Sequence, residues 1–204
     1  ESTGTAISRF VAQNSTLLVV ILMLVAFGLS SDKFLLPNNI FNIFRQMSVV
    51  AVLAVGMMLV ILIGGIDLSV GSVLFLAAGI TSVLLRDGTP VALAILVGLA
   101  SATLVGLVNG LLVEVAGISP VIATLGMLIG VRGLALVIMN NAQIRVTDSV
   151  FEWVAITRTP GIPALNIPGV PLTVIIVLIV YLIMAVVLRQ TLFGRFVYAI
   201  GGRD

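Results

Sequence analysis

The sequence predicts an all-α, polytopic membrane helix bundle of about six transmembrane helices plus one interfacial helix, and three observations predict it. Of the 204 residues, 60% are hydrophobic and only 9% are charged, where soluble domains carry about a quarter charged residues. Mean hydropathy is +1.32, which is more apolar surface than a soluble core could hide. The apolar residues also fall into runs near the roughly 20 residues that cross a bilayer, separated by polar or Gly- and Pro-containing breaks.

Composition excludes several functions. A net charge of +2 is no nucleic-acid footprint. With no Cys and no His, a disulfide framework, thiol chemistry and the usual zinc or haem ligands are all absent from the sequence. No catalytic residues and no metal site are predicted. No G-x-x-x-x-G-K-[ST] motif is present, so the chain cannot cradle nucleotide phosphates, and any ATP must be used by a partner.

Residues 1–14 form a polar lead with Arg9 as its one basic residue, and 15–30 reads as the first span. No small-residue cleavage pattern follows this span, so it is a retained helix and not a signal peptide. Ser31-Asp32-Lys33 ends it. In 34–46, Ile40, Phe41, Ile43 and Phe44 recur at helical spacing beside Asn42, Arg45 and Gln46, which predicts an interfacial helix capped by Asn38 or Asn39. This helix runs into the second span, 47–63.

The stretch Gly64-Gly65-Ile66-Asp67-Leu68-Ser69-Val70-Gly71-Ser72 then puts an aspartate, two hydroxyls and three glycines between apolar runs. Gly64, Gly65 and Gly71 supply backbone freedom, and Asp67 or Ser69 can cap the helix that follows. One reading is a capped turn. The other is a discontinuous helix on a transport pathway, since polar backbone at membrane depth survives only where protein or water covers it.

The third span, 69–85, ends in the loop Arg86-Asp87-Gly88-Thr89-Pro90. The fourth, 91–113, carries Ala94, Gly98, Ala102, Gly106 and Gly110 at four-residue spacing. Such a stripe lets helices approach closely, and its alternative is a groove along a pathway. Pro120 suits the start of the fifth span, 121–139. Residues 140–170 form the longest connection, with Phe151 and Trp153 fit for a membrane interface. The last span is 172–188. Arg189, Arg195 and Arg203 after it, with Arg9 at the other end, place both termini in the cytoplasm by the positive-inside tendency. Both ends inside requires an even number of crossings, and six satisfies it.

Polar residues within or between spans are the site candidates. Asp67 is a cap, or a substrate or gate contact. Arg132, deep in the fifth span, needs a partner such as Asp67, Glu114 or helix-end carbonyls, and reads equally as a buried ion pair or a pathway residue. Asn109 and Thr124 suit cross-helix hydrogen bonds or ligand hydroxyls. Asp67, Ser69, Asn109, Thr124 and Arg132 are therefore the pathway or gate candidates, and Gly98, Ala102, Gly106 and Gly110 the packing candidates.

The nine-residue break resembles the signature of the permease subunits of bacterial ribose, xylose, arabinose and galactose-type ABC importers. Three further pieces agree in order: Asn109-Gly110-Leu111-Leu112-Val113; Pro120-Val121-Ile122-Ala123-Thr124-Leu125-Gly126 followed by Arg132-Gly133-Leu134-Ala135; and Phe193-Gly194-Arg195 through Tyr198-Ala199-Ile200-Gly201-Gly202. The resemblance spans roughly 38–204, with Glu114 a departure where a basic or neutral residue is expected. It implies a translocation subunit that moves a monosaccharide, pentose or hexose, across the bacterial cytoplasmic membrane by alternating access. The implied partners are a second permease copy, two ATP-binding subunits that use the ATP, a periplasmic substrate-binding protein and membrane lipid. Gly194, Arg195, Gly201 and Gly202 would lead toward the regions that dock on the ATPase. Glu1 in place of Met, and the family's longer permeases, imply the N-terminal portion of a longer chain. The alternative is an ion-coupled secondary transporter of a small hydroxylated solute such as a nucleoside. A membrane-embedded hydrolase has little to work with here, and a purely structural partner subunit is the remaining rival.

Overall fold

The computed structural model describes residues 14–163 and 168–202, so Arg9 and Arg203 lie outside the described residues. Eight α-helices are found among the described residues: α1 Ser15–Ser30, α2 Pro37–Leu62, α3 Val70–Arg86, α4 Val91–Glu114, α5 Pro120–Ile138, α6 Ser149–Ile156, α7 Leu172–Gln190 and α8 Leu192–Gly201. Helices α2, α4, α5 and α7 are each long and apolar enough to cross a bilayer, whereas α1, α3 and α8 are apolar but shorter. Leu22, Leu96, Ile129 and Leu182 are among the many large apolar side chains left exposed. In water this surface would aggregate. The protein is a multi-pass membrane helix bundle.

The described chain divides into two compact units, one built from residues up to Gln46 with Arg158–Val170, the other from Met47–Thr157 with residues from Pro171 onward. In the first, the rings of Phe27 and Phe34 lie 5.5 Å apart, and Arg158 Nη2 donates to Asn42 Oδ1 at 2.9 Å. Asn39, expected as a cap, instead donates through Nδ2 to the Phe34 carbonyl at 2.8 Å. Helix α2 opens at Pro37, whose missing N–H costs nothing at a helix start. The interfacial segment is simply the first turns of this one continuous helix.

In the second unit α3 packs against both α4 and α5, around Leu76, Val105, Val131 and Ala135. Ala94 and Gly98 are buried, and a Cβ at Gly98 would run into Thr81 Oγ1 and stand 2.9 Å from the Ala77 carbonyl oxygen. Helix α5 begins at Pro120, and its C-cap Met139 is followed by Asn140 and Asn141, both in the left-handed region at φ 53° and 52°. There the Asn141 N–H donates to the Leu136 carbonyl at 2.8 Å and the Asn140 N–H to that of Val137 at 3.0 Å, the paired closure of a Schellman end.

Two helices were not expected. The connection 140–170 contains α6, capped by Asp148, whose Oδ1 accepts from the Val150 N–H at 2.8 Å; Trp153 on it is exposed. Beyond α7, Thr191 breaks the helix and caps α8, its Oγ1 accepting from the Gly194 N–H at 3.4 Å. Gly194 sits against the Leu188 backbone and Gly201 against the Leu62 carbonyl, each closer than any Cβ would allow. Arg195 lies within α8, and Gly202 is its C-cap.

Candidate functional site

The break after α2 is closed by its own backbone. Gly64 has φ +79°, its N–H donates to the Ile61 carbonyl, and the Gly65 N–H donates to that of Val60, both at 2.9 Å. This pair of bonds satisfies carbonyls that the ending helix leaves free. Gly71 does not belong to the break: it is the second residue of α3. Between the two helices, Asp67 Oδ1 accepts from the Ser69 N–H at 2.7 Å and from the Ser69 hydroxyl at 2.6 Å. Asp67 therefore satisfies the N–H of Ser69, the residue that precedes α3. Ser69, fully buried at the N-cap position, accepts from no backbone amide with its own hydroxyl.

That hydroxyl has another partner. Asn109 Nδ2 on α4 donates to Ser69 Oγ at 2.8 Å, so a chain of hydrogen bonds runs from buried Asn109 through buried Ser69 to half-buried Asp67. Ser72 Oγ braces the same turn by donating to the Ser69 carbonyl at 2.7 Å. Thr124 on α5 donates to the Pro120 carbonyl at 2.7 Å, with the Ile66 carbonyl 3.4 Å away. Four of the five sequence candidates thus converge.

Three of them, Asp67, Asn109 and Thr124, line a cavity of about 390 Å³ whose wall also includes Gly64, Gly106 and Glu114. Gly106 and Gly110 line it too, and a Cβ on either would meet nothing within 4 Å. Within this chain the packing expected of the α4 stripe is thus confined to its Ala94–Gly98 end, and Ala102 is half-buried between the two regions. No Lys or Arg lines the cavity, while two carboxylates do. Glu114 was named in the sequence as a departure and as a possible partner of Arg132, and nothing there placed it on one cavity wall with Asp67.

Arg132 does not join the group. Its guanidinium lies over the Phe75 ring, 5.5 Å from the centroid, and among the described residues it forms no ion pair with Asp67 or Glu114. It stands eight residues, about 12 Å of helix rise, beyond Thr124. Phe75 leads instead to a cleft of about 500 Å³ with Ser82, Met139 and Arg145 on its wall. A neighbouring space of about 530 Å³ shares Ser82 and Arg145 and adds Arg86, Thr89 and Asp148. These openings lie at the opposite end of α3 from the Asp67 cavity. Among the described residues no three potential metal ligands converge.

A multi-pass membrane bundle with a cavity at a helix break, mostly apolar but carrying Asp67, Asn109, Glu114 and Thr124 on its wall, is the form of a membrane transport protein. The chain belongs to the family described as branched-chain amino acid transport system / permease component, whose model matches residues 39–203. It is 33% identical to the ribose import permease protein RbsC of Haemophilus influenzae, over 100% of this chain and 62% of that protein. The ribose import permease protein RbsC of Escherichia coli K12 is 33% identical over 94% of this chain and 59% of its own. The D-allose transport system permease protein AlsC of Escherichia coli K12 is 36% identical over 92% and 56%. The chain therefore spans about three fifths of the length of these curated relatives. No solved structure gives a significant match.

Proposed function

We propose that this chain is part of the translocation subunit of an ATP-binding-cassette importer that moves a monosaccharide across a bacterial cytoplasmic membrane by alternating access. The observation that carries the reading is the coincidence of two things: similarity to permeases named for ribose import and D-allose transport along nearly the whole chain, and a cavity of about 390 Å³ at the helix break with Asp67, Asn109, Glu114 and Thr124 on its wall. That volume lies within the roughly 300–1,000 Å³ of small-molecule sites. A second permease copy, two ATP-binding subunits and a periplasmic substrate-binding protein complete the assembly in this reading. ATP hydrolysis belongs to the partners, and this chain is not an enzyme. The α8 residues Gly194, Arg195, Gly201 and Gly202 lead toward the ATPase-docking region.

Co-purification tests the assembly. The full-length permease extracted in mild detergent is expected to carry an ATP-binding subunit whose ATPase rate rises when the sugar-loaded binding protein is added. Isolation without any ATPase under several detergents would contradict the reading.

Six crossings with both ends cytoplasmic fit the arrangement of the loops. The 110–124 turn lines one cavity with 64–67, and Gly201 abuts Leu62, so these share one end, the inner one in this reading. The 86–91 loop shares a cleft with 145–148, at what would then be the outer end. These 204 residues contain no Cys, so in a full-length permease freed of any cysteine elsewhere single cysteines report cleanly. Thr89→Cys is expected to react with an impermeant maleimide added to intact spheroplasts, and Gly117→Cys only after the membrane is opened. The reverse pattern would invert the topology.

A further inference from the structure

Arg132 is exposed within a membrane-spanning helix. It stands six residues before the end of α5 at Ile138, about 9 Å of helix rise. Side chains on a helix lean toward its N-terminus, so the guanidinium is carried away from that end and comes to rest over the Phe75 ring. Phe75 is itself eleven residues before the end of α3 at Arg86, about 16 Å of rise. The cation therefore sits at depth and not at a membrane surface. A ring attracts a cation but cancels none of its charge, and among the described residues no carboxylate pairs with Arg132. Charged groups at this depth are costly in lipid and are found facing a bundle interior, with a partner.

The same helix is shaped for a neighbour. Its buried face carries Ala123, Thr124, Val131 and Ala135, the last two packed with Leu76 of α3 and Val105 of α4. On the other side Gly126, Gly130 and Gly133 recur at helical spacing; all three are exposed, and a Cβ on any of them would meet nothing within 4 Å. Ile129 and Val137 flank this ridge and are exposed as well. Toward lipid, three glycines only weaken the helix. Under a crossing helix they let two backbones close on each other.

We infer that a further membrane helix of the same permease, from the part of the chain outside these 204 residues, packs along the Gly126–Gly133 ridge and presents an Asp or Glu to Arg132. These residues span about three fifths of the length of the curated relatives, so a permease of that length has chain to spare for such a helix. The free charge fixes the chemistry of the partner, since only a carboxylate cancels it. Helix α5 of a second copy is the wrong occupant: a two-fold axis along the membrane normal would bring two Arg132 side chains to one depth, where like charges repel in a low dielectric. Arg132 thus serves the closing of the bundle, whatever solute is carried.

The test uses the full-length permease with its partner subunits in native membranes, with the photo-crosslinking residue p-benzoylphenylalanine in place of Ile129 or of Val137. After irradiation, mass spectrometry is expected to find either position joined, within one chain, to a peptide from outside these 204 residues that contains an Asp or Glu. A product of twice the permease mass would give the face to a second copy, and lipid adducts alone or no adduct would leave it facing lipid; each overturns the inference. The charge is tested separately. Arg132→Met is expected to lower membrane abundance at least threefold by stranding the carboxylate, and changing the acidic residue of the crosslinked peptide to its amide in the same chain is expected to restore abundance to within twofold of wild type. Unchanged abundance in Arg132→Met, or no restoration from any such amide, contradicts the ion pair.

Discussion

Gly98→Leu is expected to reduce the membrane abundance of the full-length permease several-fold, while Gly106→Ala, eight residues along the same helix, leaves it unchanged. The difference lies in what each Cβ meets. At Gly98 it would stand 2.9 Å from the Ala77 carbonyl and clash with Thr81 Oγ1. Neither can yield: the Ala77 carbonyl belongs to the α3 backbone, and Thr81 is held by its bond to that carbonyl at 2.8 Å, with the Ala94 carbonyl 3.3 Å away. Overpacking of a well-filled contact typically costs about 1–3 kcal/mol. In a bilayer, where close van der Waals contact holds helices together, separating α3 from α4 removes the main attraction between them. At Gly106 the added methyl enters the cavity and touches nothing within 4 Å. Quantitative blotting of membranes checks both, and equal abundance of the two variants would show that the α3–α4 contact is not tight.

The second large effect belongs to Asp67, and it separates the cap from the charge. Asp67→Ala removes the acceptor for both the N–H and the hydroxyl of Ser69, a residue with no exposure to solvent. Leaving a buried donor unpaired costs about 1–3 kcal/mol, enough to change abundance several-fold. Asp67→Asn keeps an Oδ1 that can accept both bonds and discards only the charge. Its abundance is expected within twofold of wild type, with uptake per molecule also within twofold. A tenfold loss of uptake at normal abundance would instead make the charge itself part of transport.

Much of this was legible because membrane helices are written in long apolar runs. The first helix was read at its observed bounds, and Pro120 marked the start of α5 for the reason that proline marks helix starts. The break at 64–69 was legible because Gly pairs and short polar side chains have few other uses between two apolar runs. Asp67, Ser69, Asn109 and Thr124 were named one by one, yet nothing in the sequence could say that a single hydroxyl joins the first three. Helix α6 escaped notice because it is 8 residues long, too short for periodicity to stand out in a polar connection. Thr191 was passed over because one threonine after an apolar helix carries no strong stop signal; only the geometry shows it capping α8. The α4 stripe shows the limit most clearly. Small residues record that a side chain is missing, and whether a neighbouring helix or an empty cavity occupies the space is decided by the fold. Arg132 was given acidic partners because opposite charge is the commonest answer to a cation in a span, whereas the ring of Phe75 on the adjoining helix supplies the contact.

The central claim is that ATP, hydrolysed by partner subunits, drives sugar through this chain. It is tested most directly by uptake of radiolabelled D-ribose, D-allose and L-arabinose into proteoliposomes holding the full-length permease, its ATP-binding subunits and the binding protein. The account predicts accumulation of at least one of them that requires ATP inside the vesicles and is indifferent to collapse of proton and sodium gradients. Accumulation without ATP that vanishes when those gradients are collapsed would contradict it and make the protein a secondary transporter.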